Sequence, residues 1–201
     1  MVFATTFAEG LGDVEGYLGG LGDAVVLHTR YARMGAYCVK LTAASEGGGT
    51  ATLGTYLPFP VFSRLGLEIT FGCWTTTDYI ELHAALREAA THWYPTLRWD
   101  PNAGTILVQT GALAWHTVTA TQGAFVTPNC CNTVKLVFDI AIGEYVRVIA
   151  NDQPYSVVGV PIYSVAVGGV PIFFTTVAHQ GDAGQSPDAY IDNWIVTQNE
   201  P

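Results

Sequence analysis

Apolar and polar side chains alternate along "NTVKLVFDI" (Asn132 to Ile140), and a similar run, "EYVRVIA", follows after the turn "AIGE". In the first run, one face carries Val134, Leu136, Phe138 and Ile140; in the second, one face carries Tyr145, Arg147 and Ile149. Period-two alternation is typical of strands that cover a core with one face. The segment therefore predicts a central β-hairpin with Phe138 in the core.

Similar strand-like runs recur along the chain, separated by Gly-rich or Pro-containing breaks. They are "AVVLHT" (24–29), "AYCVKL" (36–41), "ATLGTYL" (51–57), "LGLEITFGCW" (65–74), "TILVQTG" (105–111), "IFFTTVA" (172–178) and "AYIDNWIVT" (189–197). Many short strands with turns between them predict an all-β sandwich or barrel. The 201 residues fit a single domain spanning 1–201.

The segment "DYIELHAALREAATHW" (Asp78 to Trp93) fits two kinds of element. Its Ala and Leu content and the spacing of Leu82, Leu86 and Trp93 suit a helix, whereas the alternation of Ile80 and Leu82 with charged neighbours suits a strand. We favour the strand.

Charge excludes some partners. The chain is 49% hydrophobic and 12% charged, with a formal net charge of −9, and its eight Lys and Arg residues are scattered singly. Without a basic patch to neutralise phosphates, we expect no nucleic-acid partner.

No apolar run reaches the length of a membrane span, so we expect no transmembrane segment. No secretion signal is visible in the sequence, so we expect no signal peptide.

Several motifs, in this order, resemble the concanavalin A-like lectin/glucanase superfamily, in its laminin-G-like branch. They are "YARMGAYCVKL", "GTATLGTYLPFP", "LEITFGCW", "PTLRWDPNAGTILVQ", "NTVKLVFDIAIGEYVRVIANDQPYSV" and "AYIDNWIVT". The resemblance covers about Ala24 to Thr197 and implies an all-β, antiparallel two-sheet jelly-roll sandwich. It also implies that a structural Ca²⁺, the one cofactor considered, could lie near Glu9 and Asp192, although too few further oxygen ligands are in sight.

Catalytic motifs are absent from the sequence. Glycosidases of this fold place paired carboxylates on one strand face in a Glu-x-Asp-x-x-Glu string, and the chain has none. Asp78 and Glu81, the nearest pair, are three residues apart and point to opposite faces of a strand. The five His residues lack HExxH or GxSxG context. We expect that the chain is not an enzyme.

Aromatic residues cluster in "THWYPTLRW" and form the candidate carbohydrate site: Trp93, Tyr94, Arg98 and Trp99. Flat rings beside polar groups are surfaces on which sugars stack. In the alternative interpretation Trp93 and Trp99, which share a strand parity, fill the core, and Tyr94 and Arg98 remain as surface candidates.

The low charge also suggests burial against other subunits. A nearly chargeless segment supplies the candidate assembly interface: Val157, Val158, Val160, Ile162, Val165, Val167 and Val170. The favoured hypothesis is a non-catalytic structural protein of a multi-subunit particle, such as a phage capsid decoration, head-fibre or tail protein, located in a virion or extracellular particle. Its partners are then copies of itself or other particle proteins. The alternative is a carbohydrate-binding, lectin-like module with glycan partners.

Overall fold

The computed structural model of the protein describes residues 3–5, 15–18, 24–29, 32, 37–44, 49–88, 90–125 and 131–201. The strands within these ranges are β1 (Phe3–Thr5), β2 (Glu15–Leu18), β3 (Ala24–His28), β4 (Cys38–Thr42), β5 (Thr50–Leu57), β6 (Arg64–Cys73), β7 (Thr77–Glu88), β8 (Thr91–Trp93), β9 (Thr96–Asp100), β10 (Thr105–Gln109), β11 (Trp115–Thr119), β12 (Asn132–Asp139), β13 (Glu144–Ala150), β14 (Gln153–Ser156), β15 (Ser164–Ala166), β16 (Ile172–Gly181) and β17 (Asp188–Gln198). In the part of the chain described, no helix could cross a lipid bilayer.

The strands form two antiparallel sheets. Sheet A has the order β14-β13-β12-β6-β17-β4-β3, with β1 also paired to β17. Sheet B has the order β11-β10-β9-β7-β16-β5-β2, and β8 joins it beside β7 and carries β15. The inner faces of the two sheets enclose one hydrophobic cluster, so each sheet has an inner face and an outer face. The predicted all-β jelly-roll sandwich is confirmed.

The predicted hairpin is β12 and β13, in the interior of sheet A. Val134, Leu136 and Phe138 are buried in the core, as predicted, and Ile140 is buried in the turn that follows. The alternation predicted for β13 is wrong. Val137 pairs with Arg147 and Phe138 with Tyr145, so a β-bulge leaves Val146 as an extra residue. The inner face of β13 therefore carries Tyr145, Val148 and Ala150 instead of Tyr145, Arg147 and Ile149.

The segment that fitted both helix and strand forms β7 and β8, which confirms the strand prediction. Ile80, Leu82, Ala84 and Leu86 are buried in the core. The intervening residues of β7, among them Tyr79, Glu81 and His83, lie on the outer face of sheet B because successive side chains point to opposite faces. This strand carries the first side chains of the candidate site.

The segment 157–170 is divided between core and surface. Val157 and Ile162 are buried, Val160 and Val165 are half-buried, and Val158, Val167 and Val170 are exposed. Four of the seven proposed interface residues therefore have most of their side chain covered within the monomer.

Candidate functional site

An open groove of about 450 Å³ lies on the outer face of sheet B. Its lining combines aromatic rings with groups able to form hydrogen bonds: Glu81, His83, Tyr94, Thr96, Arg98, Gln109, Ala112, Leu113, Trp115 and Tyr163. Strand register explains why they meet. Glu81 pairs with Arg98 and His83 with Thr96 across β7 and β9, while Gln109 pairs with Trp115 across β10 and β11. Paired residues of neighbouring strands point to the same face.

Arg98 is held from both sides. Its Nε and Nη2 donate hydrogen bonds to Oε2 of Glu81 at 3.2 and 2.8 Å. Its guanidinium carbon lies 3.8 Å from the ring centroid of Tyr79 and 4.3 Å from that of Trp115. Cation–π contacts of this kind favour a planar guanidinium between two rings. The positive charge is thus matched by a carboxylate within the groove.

His83 is an uncharged hydrogen-bonding group at neutral pH. Burial, followed by the nearby His92, lowers the pKa of His83 to about 4. Its Nδ1 lies 2.7 Å from the hydroxyl oxygen of Thr96, and that hydroxyl donates its single proton to the carbonyl oxygen of Tyr94 at 3.2 Å. In the His83 tautomer that carries its proton on Nδ1, the Thr96 oxygen accepts this hydrogen bond and Nε2 keeps a lone pair.

Tyr94 forms one wall of the groove. Its ring stacks on that of Tyr163, with centroids 5.3 Å apart, and lies 6.0 Å from the ring of His83. Its hydroxyl oxygen is 2.9 Å from Nδ1 of the buried His92. Burial and the charge of Arg87 lower the pKa of His92. The Tyr94 side chain is thereby fixed by contacts on its ring and on its hydroxyl.

Tyr145 supports the groove from the core. Its hydroxyl accepts a hydrogen bond from the backbone N–H of Thr96 at 3.0 Å and donates one to the carbonyl oxygen of Gln109 at 2.8 Å. Burial raises the pKa of Tyr145, so the phenol stays protonated. This core side chain ties together β9 and β10 beneath two lining residues.

Of the four residues proposed to bind carbohydrate, Tyr94 and Arg98 line the groove and the two Trp residues do not. Trp99 is fully buried, edge-on to Phe71 at 5.4 Å, because it has the opposite strand parity to Arg98. Trp93 is half-buried against the turn between β12 and β13, where a Cβ at Gly143 would lie 2.9 Å from its ring. Placing Trp93 and Trp99 in a sugar site was therefore wrong, and the core interpretation fits both.

The groove also contains residues that the sequence did not indicate as part of a carbohydrate site. Glu81 and His83 could have been found from the alternation in β7, since both share the outer face. No motif or alternation in the sequence indicated that Gln109, Trp115 and Tyr163 would line the groove. Tyr163 is held beside the groove by two backbone hydrogen bonds: its carbonyl oxygen accepts from the N–H of Tyr94 at 2.8 Å, and its N–H donates to the carbonyl oxygen of Gln109 at 3.4 Å.

The suggested calcium site stays a prediction. Glu9 lies outside the described residues, and Asp192 is buried in β17. Within the described ranges, no group of three or more His, Cys, Asp or Glu residues is arranged to hold a metal ion.

No protein-family model matches this sequence, and no curated protein sequence matches it. Solved structures do share its fold. A carbohydrate esterase from the Shiga toxin-encoding bacteriophage phi24B superposes with a TM-score of 0.61 at 14% identity, covering 98% of this chain and 97% of the esterase. The carbohydrate recognition domain of Emp47p superposes with a TM-score of 0.54 at 12% identity, covering 94% of this chain and 90% of that domain.

A sialidase also shares the fold, with a TM-score of 0.60, 12% identity and 99% of this chain covered. The chain spans only 18% of the length of that sialidase. The expectation that the chain is not an enzyme is contradicted, because structures described as a sialidase and as a carbohydrate esterase share its fold. Lack of a Glu-x-Asp-x-x-Glu string is no ground for excluding catalysis in a jelly roll of this kind. At these identities the likeness establishes architecture, and the protein has the concanavalin A-like jelly-roll fold that its sequence motifs resemble.

Proposed function

We propose that this protein binds carbohydrate in the groove on the outer face of sheet B. The observation that carries the proposal is the pairing of half-buried rings, Tyr94, Tyr163 and Trp115, with the fixed polar groups of Arg98, Glu81 and His83 in one open groove. Rings offer flat surfaces to the C–H faces of a sugar, and a few convergent polar groups orient its hydroxyls. The esterase, the sialidase and the carbohydrate recognition domain that share the fold support this proposal.

The electrostatics of the groove favour a neutral sugar. Glu81 and Arg98 are the acidic and the basic side chain of the lining and form an ion pair, and His83 is uncharged at neutral pH. The carboxylate of a uronate or sialate would be repelled by Glu81, which already pairs with Arg98, and by the net charge of −9 on the chain. A neutral hexose polymer would not be repelled in this way.

Replacing Tyr94 by Ala tests the proposed site. We expect the wild-type protein to bind neutral glycans in preference to uronate-containing ones on a glycan array. Tyr94→Ala should weaken that binding about tenfold, because the variant lacks an aromatic ring that lines the groove. Isothermal titration calorimetry measures the affinity. Phe62→Ala is the matched control, since Phe62 is an exposed ring that lines a different cavity. Equal binding by wild type and Tyr94→Ala, or no glycan binding at all, would refute the proposed site.

Assembly into a particle is the second candidate function, and virion localisation stays a prediction with it. The observation in its favour is that Val158 and Val170 are 72% and 71% exposed within a segment that is nearly free of charge. Exposed apolar side chains in such a segment are typical of subunit contacts.

We expect the wild-type protein to form oligomers in light scattering after size exclusion. Val158→Asp should shift them toward monomers without changing the melting temperature, because the charge would be buried unpaired in the contact. Val158→Thr, which keeps the shape without a charge, should have a much smaller effect. A wild-type protein that stays monomeric at high concentration would exclude this candidate.

A further inference from the structure

A second pair of aromatic rings lies on the same face of sheet B as the groove. Tyr56 of β5 and Phe174 of β16 are paired residues on neighbouring strands, and their ring centroids are 4.6 Å apart with a 40° tilt. Phe173 points into the core, so Phe174 and its partner Tyr56 point outward. The Tyr56 side chain is 65% exposed, whereas Phe174 is half-buried. We name this pair the Tyr56 platform.

The register of the sheet aligns the Tyr56 platform with Tyr94. Phe174 pairs with Tyr56 on one side and with Ala85 of β7 on the other. Tyr94 lies between the pairs Leu86–Trp93 and His83–Thr96, and so next to Ala85. The two aromatic clusters therefore occupy one row that runs across the strands rather than along them.

The surface between the clusters carries small side chains. Ala85 lies between Tyr94 and Phe174, and in the adjoining row His83 pairs with Thr176, which pairs with Gly54. Ala85, Thr176 and Gly54 are too small to form a ridge between the groove, which includes His83, and the platform. From Tyr94, in the segment between β8 and β9, to Tyr56 of β5 the row crosses three strand spacings, about 14 Å, which is longer than one pyranose ring.

We propose that the Tyr56 platform is a second sugar subsite and that the ligand is a linear neutral saccharide laid across β9, β7, β16 and β5. This inference rests on the proposed function of the groove. One sugar residue stacks at Tyr94, and a later residue of the same chain stacks on Tyr56, whose ring is backed by Phe174. Two stacking surfaces in line, with a low surface between them, select for chain length.

Affinity across a size series of ligands tests the inference. The probes are linear gluco-oligosaccharides and manno-oligosaccharides of two to six units, titrated by calorimetry. For the series that binds, we expect the affinity to rise with length and then reach a plateau. Tyr56→Ala should weaken binding of the hexasaccharide about tenfold while leaving the disaccharide unchanged, since the disaccharide cannot reach both clusters.

Two further variants separate stacking from other causes. Tyr56→Phe keeps the ring and should bind the hexasaccharide as the wild type does, and Phe62→Ala should have no effect on any probe. Thermal unfolding checks that Tyr56→Ala is folded. If Tyr94→Ala weakens binding but Tyr56→Ala does not, the second subsite is refuted and the groove stands. If the wild type binds none of the probes and no glycan on the array, both proposals fail together.

Discussion

Phe138→Ala should lower the free energy of unfolding by about 3–5 kcal/mol, the usual cost of emptying the place of a buried Phe. Phe138 is fully buried in the common core, where it pairs with Leu65 of β6 and, beside the β-bulge, with Tyr145 of β13. Urea unfolding followed by circular dichroism measures the loss.

Ile142→Ala is the matched control for this measurement. Ile142 lies in the turn after β12 with 62% of its surface exposed, so its loss should cost about 0.5 kcal/mol or less. Similar midpoints for Phe138→Ala and wild type would show that Phe138 does not belong to the core.

Tyr145→Phe should cost about 1–3 kcal/mol of stability, because it leaves a buried N–H without an acceptor. The lost hydroxyl accepts from the N–H of Thr96 and donates to the carbonyl oxygen of Gln109. Glycan affinity should fall as well, since Thr96 holds His83 and Gln109 lines the groove. Urea unfolding and calorimetry measure the two effects.

The control for Tyr145→Phe is Tyr56→Phe, which removes a hydroxyl from an exposed ring and should leave stability nearly unchanged. If Tyr145→Phe were as stable as wild type, the phenol would not be the main acceptor for Thr96. If Tyr145→Phe lost stability but kept full glycan affinity, the Tyr145 hydroxyl would not be needed to position Thr96 and Gln109 for binding.

The sandwich could be predicted from the sequence because alternation and turn residues are signals that lie within short segments. Alternation alone placed Phe138 inside and resolved the segment from Asp78 to Trp93 as strand. Alternation could not predict the bulge at Val146. The extra residue shows only in the pairing with β12, and the sequence of β13 alone does not reveal which residues pair. For Trp93 and Trp99 two signals in the sequence disagree: their shared parity indicates the core, against which the structure packs both, whereas the aromatic cluster indicates a surface site.

The site was predicted only in part because its residues come from distant parts of the chain. Tyr94 and Arg98 lie on one continuous segment and could be recognised together. Trp115 joins them through strand order, and Tyr163 through two long-range backbone hydrogen bonds, to Tyr94 and Gln109; the sequence encodes neither feature locally. Assignments based on contiguous motifs therefore recover the centre of such a site and miss its edges.

The stacking of Arg98 between Tyr79 and Trp115 also affects the thermodynamics of recognition. A free Arg side chain samples many rotamers, and fixing it when a ligand arrives costs conformational entropy. Here two rings and the Glu81 carboxylate already hold the guanidinium in place. That entropy is lost on folding, so the polar surface of the groove is preorganised before any ligand is present.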